Sequence, residues 1–109
     1  MKLEVGMYVR TIGGIERLKK ENDNGWFFEK SMIIKPDNIE KYIIKASYNI
    51  IDILEVGDYV NGVKVINIDD EWIIMSNMQV PILKSIANGM IKSVITHEQM
   101  EQMAYKVGE

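Results

Sequence analysis

The chain has 109 residues, of which 47% are hydrophobic, and it carries a net charge of −3 and no cysteine. This composition excludes a disordered chain, disulfides and thiolate metal sites. No apolar run approaches the roughly 20 residues that cross a bilayer, and residues 1–5 lack a signal-peptide core, so we expect a cytoplasmic protein with no membrane partner.

Short strands separated by turn residues are predicted along the first half. Gly13-Gly14 predicts a turn, and the polar cluster at residues 21–25 predicts a hairpin loop because it ends in glycine. Pro36 interrupts the pattern since proline lacks a backbone N–H, and one helical turn is expected at residues 38–41. The predicted strands are Met7–Thr11, Ile15–Lys19, Trp26–Glu29, Met32–Ile34 and Tyr42–Ser47.

The middle and second half continue in the same way. Ile50–Leu54 is too apolar for a free linker, so we expect a buried strand that joins the halves. Asn61-Gly62 predicts a type I′ hairpin turn, because both central residues of that turn need a positive φ. Thr96 and Gln99 match a capping box and predict a short C-terminal helix. The predicted strands are Asp58–Val60, Val63–Ile68, Trp72–Ser76, Gln79–Leu83 and Met90–Ile95.

The two halves share a motif. Glu4-Val5-Gly6-Met7-Tyr8-Val9 returns 51 residues later as Glu55-Val56-Gly57-Asp58-Tyr59-Val60. A repeat of this length indicates a duplicated structural unit, so we predict that both motifs are matching first strands. A tryptophan begins an apolar run in each half, and we expect Trp26 and Trp72 to be equivalent.

The strand pattern predicts the fold class. Five short strands per unit favour a small closed β-barrel, and Val-Gly-x-Tyr-Val before a hairpin resembles the opening of SH3-like barrels. We predict a mainly β protein of two tandem SH3-like units packed together, residues 1–54 and 55–109, with a short C-terminal helix. Units of about 50 residues are marginal alone, so we expect one cooperative body.

Charge is distributed unevenly between the halves. Residues 1–54 carry a net charge of +1 and residues 55–109 carry −4. A duplex-binding domain usually carries a basic face, so the second half argues against that role.

Acidic residues near predicted hairpin ends of the second half suggest a surface for a basic protein partner, because loops there commonly hold binding groups. An exposed tryptophan would add an interface anchor, although burial in each core is the simpler alternative. A solvated turn is likewise the simpler alternative for the triplet at residues 69–71. The candidate partner-binding residues are Asp58, Asp69, Asp70, Glu71, Trp72 and Trp26.

A second hypothesis places nucleic-acid binding in the first half. Lysines beside aromatic residues are the combination that stacks single-stranded bases. Since Phe27 or Phe28 must face the core of a strand, part of this set is structural. The candidate nucleic-acid-binding residues are Lys19, Lys20, Trp26 and Phe28.

No catalytic chemistry is predicted. His97 is the only histidine, and a general base needs an orienting partner and a nucleophile nearby. The helix position of His97 favours an exposed side chain. The acidic triplet lacks the alternating ligands and the glycine of an EF-hand loop. We therefore predict a protein that is not an enzyme and has no catalytic residue, metal site or cofactor.

The segment Tyr42–Gly62 resembles a recurrent segment of small phage and prophage proteins from low-GC Gram-positive bacteria. Leu3–Thr11 and Ile91–Val107 are similar to the same proteins. That family has no established enzymatic activity. The resemblance implies a protein that antagonises host defence, as an anti-CRISPR inhibitor or a sponge for nucleotide signals. The implied partner is a host defence protein such as a CRISPR effector in the bacterial cytoplasm, and the alternative is a nucleic-acid or nucleotide-binding SH3-like module.

Overall fold

The structure is a computed structural model that describes residues 2–30, 33–34, 39–105 and 107–108. It contains two compact units, Met1–Ile53 and Leu54–Glu109. Each unit has one antiparallel five-stranded sheet, which confirms the prediction of a mainly β protein. Among the described residues, the helices are too short or too polar to cross a membrane. The predicted break at Pro36 lies outside the described residues, as do Met32 and Asn38.

The first unit is a five-stranded meander that returns to its first strand. It contains β1 (Tyr8–Thr11), β2 (Gly14–Asn22), β3 (Gly25–Phe28), β4 (Ile33–Ile34), α1 (Ile39–Tyr42), β5 (Lys45–Ser47) and a 3-10 helix (Ile50–Ile53). The strand order is β4-β3-β2-β1-β5. The buried core is formed by Leu3, Val9, Leu18, Phe28 and Ile43.

The second unit repeats this arrangement. It contains β6 (Tyr59–Val60), β7 (Val63–Ile68), β8 (Trp72–Met75), β9 (Ile82–Leu83), α2 (Lys84–Asn88), β10 (Val94–Ile95) and α3 (His97–Met103). The strand order is β10-β6-β7-β8-β9, so β6 to β10 take the places of β1 to β5, as a duplication predicts. Its buried apolar residues include Val60, Val65, Ile73 and Ala87.

The shared motif forms the same turn in both units. The N–H of Met7 donates to the carbonyl of Glu4 at 3.1 Å. In the same way, the N–H of Asp58 donates to the carbonyl of Glu55 at 3.1 Å. Gly6 and Gly57 have φ of 96° and 97°, a left-handed region that glycine adopts without the strain of a Cβ. The prediction of strand along both whole motifs is therefore wrong for their first four residues, and the strands begin at the tyrosines that follow.

The two tryptophans occupy different places, contrary to the prediction. Each unit has a bulge in its second strand, in β2 and in β7. When the two units are aligned at their bulges, Trp26 corresponds to Ile73. Trp72 lies one residue before Ile73. Because successive strand residues face opposite sides, a shift of one residue changes the face. Trp26 packs against the core of the first unit, whereas Trp72 is 39% exposed.

The hairpin turn between β6 and β7 has the predicted conformation. Asn61 and Gly62 lie between the paired residues Val60 and Val63, with φ of 52° and 81°. These are the two positive φ values of a type I′ turn. The side chain of Asn61 adds contacts, since its Oδ1 accepts hydrogen bonds from the N–H groups of Lys92 and Ser93.

Replacing Gly62 with valine is expected to lower the free energy of unfolding by about 1 kcal/mol or more, because a β-branched residue resists positive φ. A Cβ at Gly62 would meet no atom within 4 Å, so the loss comes from the backbone conformation alone. Urea denaturation measures it. The matched control is Gly62→Asn, which tolerates this region and should lose less. Equal losses for both variants would contradict the turn assignment.

The segment that joins the units is helical rather than extended. Ile50–Ile53 forms a 3-10 helix, so the prediction of a strand there is wrong. The hydroxyl of Ser47 donates to Asp52 and accepts from the N–H of Asn49, which closes the helix start. Such local hydrogen bonds compete with an extended conformation. The predicted burial is present in part, because Ile51 and Ile53 are buried and Asp52 is exposed.

Candidate functional site

The acidic triplet forms an ordered turn between β7 and β8, named here the acidic turn (Asp69–Glu71). The carboxylate of Asp69 accepts hydrogen bonds from the N–H groups of Glu71 at 3.1 Å and Trp72 at 2.8 Å. The ammonium group of Lys84 donates to the carbonyl of Asp69 at 3.1 Å. Asp69 thus holds the turn together, while the side chains of Asp70 and Glu71 are exposed to solvent.

An apolar groove adjoins the acidic turn. It has a volume of about 500 Å³ and is named here the Trp72 groove; its lining includes Trp72, Met78, Val80, Pro81, Ile82 and Ile86. Val80 is 71% exposed and Ile86 is 53% exposed. This volume is within the usual range of ligand sites, and an exposed indole beside aliphatic side chains offers an anchor for a partner.

Asp58 does not belong to an exposed acidic surface. Its side chain is completely buried. One carboxylate oxygen accepts from the N–H of Glu55 at 2.7 Å, and the other accepts from the N–H of His97 at 2.9 Å. The prediction that Asp58 contacts a partner is therefore wrong for this fold, because the carboxylate serves to join the motif turn to the start of α3.

The basic and aromatic set of the first half is only partly accessible. Lys19 and Lys20 are exposed, and the ammonium group of Lys20 lies 5.9 Å from the ring centroid of Phe27. Phe28 is 3% exposed and belongs to the core, so it cannot stack a base. Trp26 is half-buried, and no acceptor among the described residues reaches its Nε1. The aromatic neighbour of Lys20 is therefore Phe27 and not Phe28.

His97 lies in a cluster of carboxylates rather than alone. Its Nε2 is 2.8 Å from Oε1 of Glu55 and 3.4 Å from Oε2 of Glu98. Its Nδ1 is 3.7 Å from Oε1 of Glu101. The capping box at Thr96 is present as predicted and places the imidazole at the start of α3. The sequence prediction missed the cluster because Glu55 is 42 residues away along the chain.

The first unit contains a similar pair, in which a tyrosine contacts the glutamate of the shared motif. The hydroxyl of Tyr48 donates to Oε2 of Glu4 at 2.7 Å. This hydrogen bond to a carboxylate, with the negative charge of Glu4, raises the pKa of Tyr48. Glu4 and Glu55 are the same position of the shared motif, and each motif is followed 44 or 42 residues later by its ring.

The acidic turn and the Trp72 groove combine charge with apolar area, and the cluster around His97 combines an imidazole with carboxylates. No family model, curated protein or solved structure matches the chain.

Proposed function

We propose that this protein is a non-enzymatic binding protein that inhibits a bacterial defence system of the anti-CRISPR kind, through contact of its second unit with a basic partner protein. The observation that carries the proposal is the exposed acidic turn directly before Trp72 and its groove. The phage or prophage setting and the cytoplasm of the bacterial host rest on the resemblance of the chain to small phage proteins.

The Trp72 groove and the acidic turn contribute to recognition in different ways. Burial of apolar area in the Trp72 groove supplies affinity, since aromatic anchors dominate most interfaces. The carboxylates of Asp70 and Glu71 supply steering and selectivity for positive charge. The fitting partner presents an aliphatic or aromatic side chain flanked by lysine or arginine. A CRISPR effector has such positive charge along the channel that holds its nucleic acid.

Each unit is further proposed to be a small SH3-like barrel. In support, the last strand of each meander pairs with the first, β5 with β1 and β10 with β6. A bulge in β2 and another in β7 lie at corresponding places, and bulges bend and twist strands as closure of a barrel requires. A short helix precedes the last strand in both units.

Nucleic-acid binding remains the second candidate, and one observation favours it. Exposed Lys20 lies 5.9 Å from the centroid of the half-buried ring of Phe27, and the adjacent Lys19 is also exposed, so this surface offers both cations and a π-face. This surface is in the first unit, whereas the acidic turn is in the second. Variants of the two surfaces therefore separate the two candidates.

Reversing Asp70 and Glu71 to lysine is expected to slow association with a CRISPR effector about 10-fold or more at low salt, because charge complementarity mainly raises the association rate. The difference should shrink at high salt, where exposed charges are screened. Association rates on immobilised effector at two salt concentrations measure this effect. Asp69 stays unchanged, since it holds the turn.

The matched control reverses Glu21 and Asp23, which are exposed acids at the corresponding hairpin of the first unit. It changes the net charge equally and should leave the rate nearly unaltered. If both pairs of reversals slow association equally, the effect arises from net charge and not from the acidic turn. If only a single-stranded oligonucleotide is bound, and lysine reversal at Asp70 and Glu71 leaves that binding intact or strengthens it, the nucleic-acid candidate replaces the proposal.

A further inference from the structure

We propose that Glu55, His97 and Glu98 form a binding site for a divalent transition-metal ion such as Zn²⁺. Each residue offers one ligand atom, and the three atoms lie within 4.8 Å of one another. The Nε2 atom of His97 is the centre of the group, at 2.8 Å and 3.4 Å from the two carboxylate oxygens. This site is separate from the acidic turn and the Trp72 groove and does not depend on the proposed function.

The spacing of the ligand atoms fits an ion of this class. Bonds from Zn²⁺ to nitrogen and oxygen ligands of about 2.1 Å place neighbouring ligand atoms about 3.0–3.4 Å apart in octahedral or tetrahedral geometry. The two observed separations from Nε2 bracket this range. Two of the three separations therefore match those of ligand atoms that share one ion, and the third is at most 4.8 Å.

The ligand types favour a transition metal over the common alkaline-earth ions. Imidazole nitrogen suits Zn²⁺ and its neighbours, whereas Mg²⁺ and Ca²⁺ prefer sites made of oxygen alone. Two carboxylates match the charge of a dication. The side chains of Glu55, His97 and Glu98 are 25%, 31% and 18% exposed, so the ion has access from solvent and can complete its coordination with water.

The backbones that carry the ligands are held in place before any ion binds. The buried carboxylate of Asp58 accepts the N–H of Glu55 with one oxygen and the N–H of His97 with the other. One side chain thus fixes two ligand-bearing residues, and the third ligand, Glu98, is the next residue along α3. Preorganisation of this kind is what distinguishes a metal site from a chance group of surface acids.

A further carboxylate lies near the imidazole. Nδ1 faces a carboxylate oxygen of Glu101 at 3.7 Å, the place where metal-bound histidines usually find an outer carboxylate. Gly57 of the shared motif packs beside His97, since a Cβ at Gly57 would lie 3.4 Å from the Cβ of His97.

An ion at this site would fasten α3 to the rest of the unit. None of the seven residues that the structure describes in α3 is buried, so the helix is held mainly by its cap and by polar contacts. A metal bond between α3 and the motif turn adds a link that the unfolded chain lacks. Binding should therefore raise the melting temperature, by an amount that grows with the logarithm of the ion concentration above Kd.

The experiment titrates Zn²⁺ into tag-free protein near neutral pH, with calorimetry and ¹⁵N NMR of the imidazole as readouts. His97 is the only histidine, so its ring signals identify themselves. We expect the Nε2 signal to shift, and the melting temperature to rise by about 5 °C or more at a Zn²⁺ concentration about 100 times Kd. Mg²⁺ should produce neither change at the same concentration.

The variants separate the ligands from the fold. Glu98→Gln and Glu55→Gln should weaken Zn²⁺ binding about 10-fold or more. His97→Tyr removes the ring nitrogens and should remove binding. Glu4→Gln, the matched control in the first unit, should leave the affinity unchanged.

Several results would overturn the proposal. One is the lack of binding by the intact protein at about 1 mM Zn²⁺. Another is binding that leaves the His97 signals in place and survives His97→Tyr, which would put the ion on other carboxylates such as the acidic turn. Equal affinity for Mg²⁺ would show that the imidazole is not a ligand. Circular dichroism of each variant distinguishes loss of the site from loss of the fold.

Discussion

Replacing Asp58 with alanine is expected to lower the free energy of unfolding by about 3 kcal/mol, the largest stability effect predicted for this chain. The carboxylate is fully buried and accepts the N–H groups of Glu55 and His97 at 2.7 and 2.9 Å. Its removal leaves two backbone donors without their acceptor, at a place where the side chain of Asp58 has no exposed surface. Buried unsatisfied donors carry the full cost of desolvation.

Two comparisons make the Asp58 prediction specific. Asp69→Ala also removes a carboxylate that accepts two backbone N–H groups, but Asp69 is exposed and water can replace it, so a loss of about 1 kcal/mol or less is expected. Asp58→Met introduces the residue that the first unit has at the equivalent position, Met7. This variant should lose about as much free energy of unfolding as Asp58→Ala. Urea denaturation gives all three values. A loss for Asp58→Ala no larger than that for Asp69→Ala would contradict the role assigned to the buried carboxylate.

Trp72→Ala is expected to weaken binding of the partner about 30-fold or more, equivalent to about 2 kcal/mol, while the fold is retained. Trp72 is 39% exposed and lines the apolar groove, so part of its ring is available to a contact. Trp72→Phe keeps an aromatic ring and should recover part of the affinity. Calorimetry or surface plasmon resonance with a CRISPR effector, the proposed partner, measures Kd.

The matched control for Trp72 is Ile12→Ala. Ile12 is 66% exposed at the hairpin turn of the first unit and is not a lining residue of the groove. It should leave Kd within a factor of about 2. If Trp72→Ala and Ile12→Ala change Kd equally, the groove is not the contact surface. If Trp72→Ala unfolds the protein, Val80→Asp tests the same groove from a side chain that is 71% exposed.

The candidate site could be predicted only in part. The acidic turn and Trp72 both lie within β7, β8 and their connection. The turn could be recognised in the sequence, whereas the exposure of Trp72 could not. Its residues are polar and adjacent, so their exposure follows from local composition. The exposure of Trp72 depends on the β7–β8 register, in which a shift of one residue exchanges the two faces of a strand.

The sequence by itself determined the local elements, because their interactions join residues only a few positions apart. The turn at Asn61-Gly62 follows from the backbone conformations that asparagine and glycine tolerate, and the start of α3 follows from the reciprocal hydrogen bonds of Thr96 and Gln99. The repeated motif likewise predicted two units with one strand order.

Only the tertiary structure decided the environment of the charged groups. Asp58 and His97 are 39 residues apart in sequence, and Glu55 and His97 are 42 apart, so no local pattern indicates that they meet. A carboxylate is usually exposed, and the burial of Asp58 is compensated by two N–H donors that the fold brings to it from distant segments. The pairing of β10 with β6 places the start of α3 beside the motif turn, and this long-range contact turns a lone histidine into a member of a cluster.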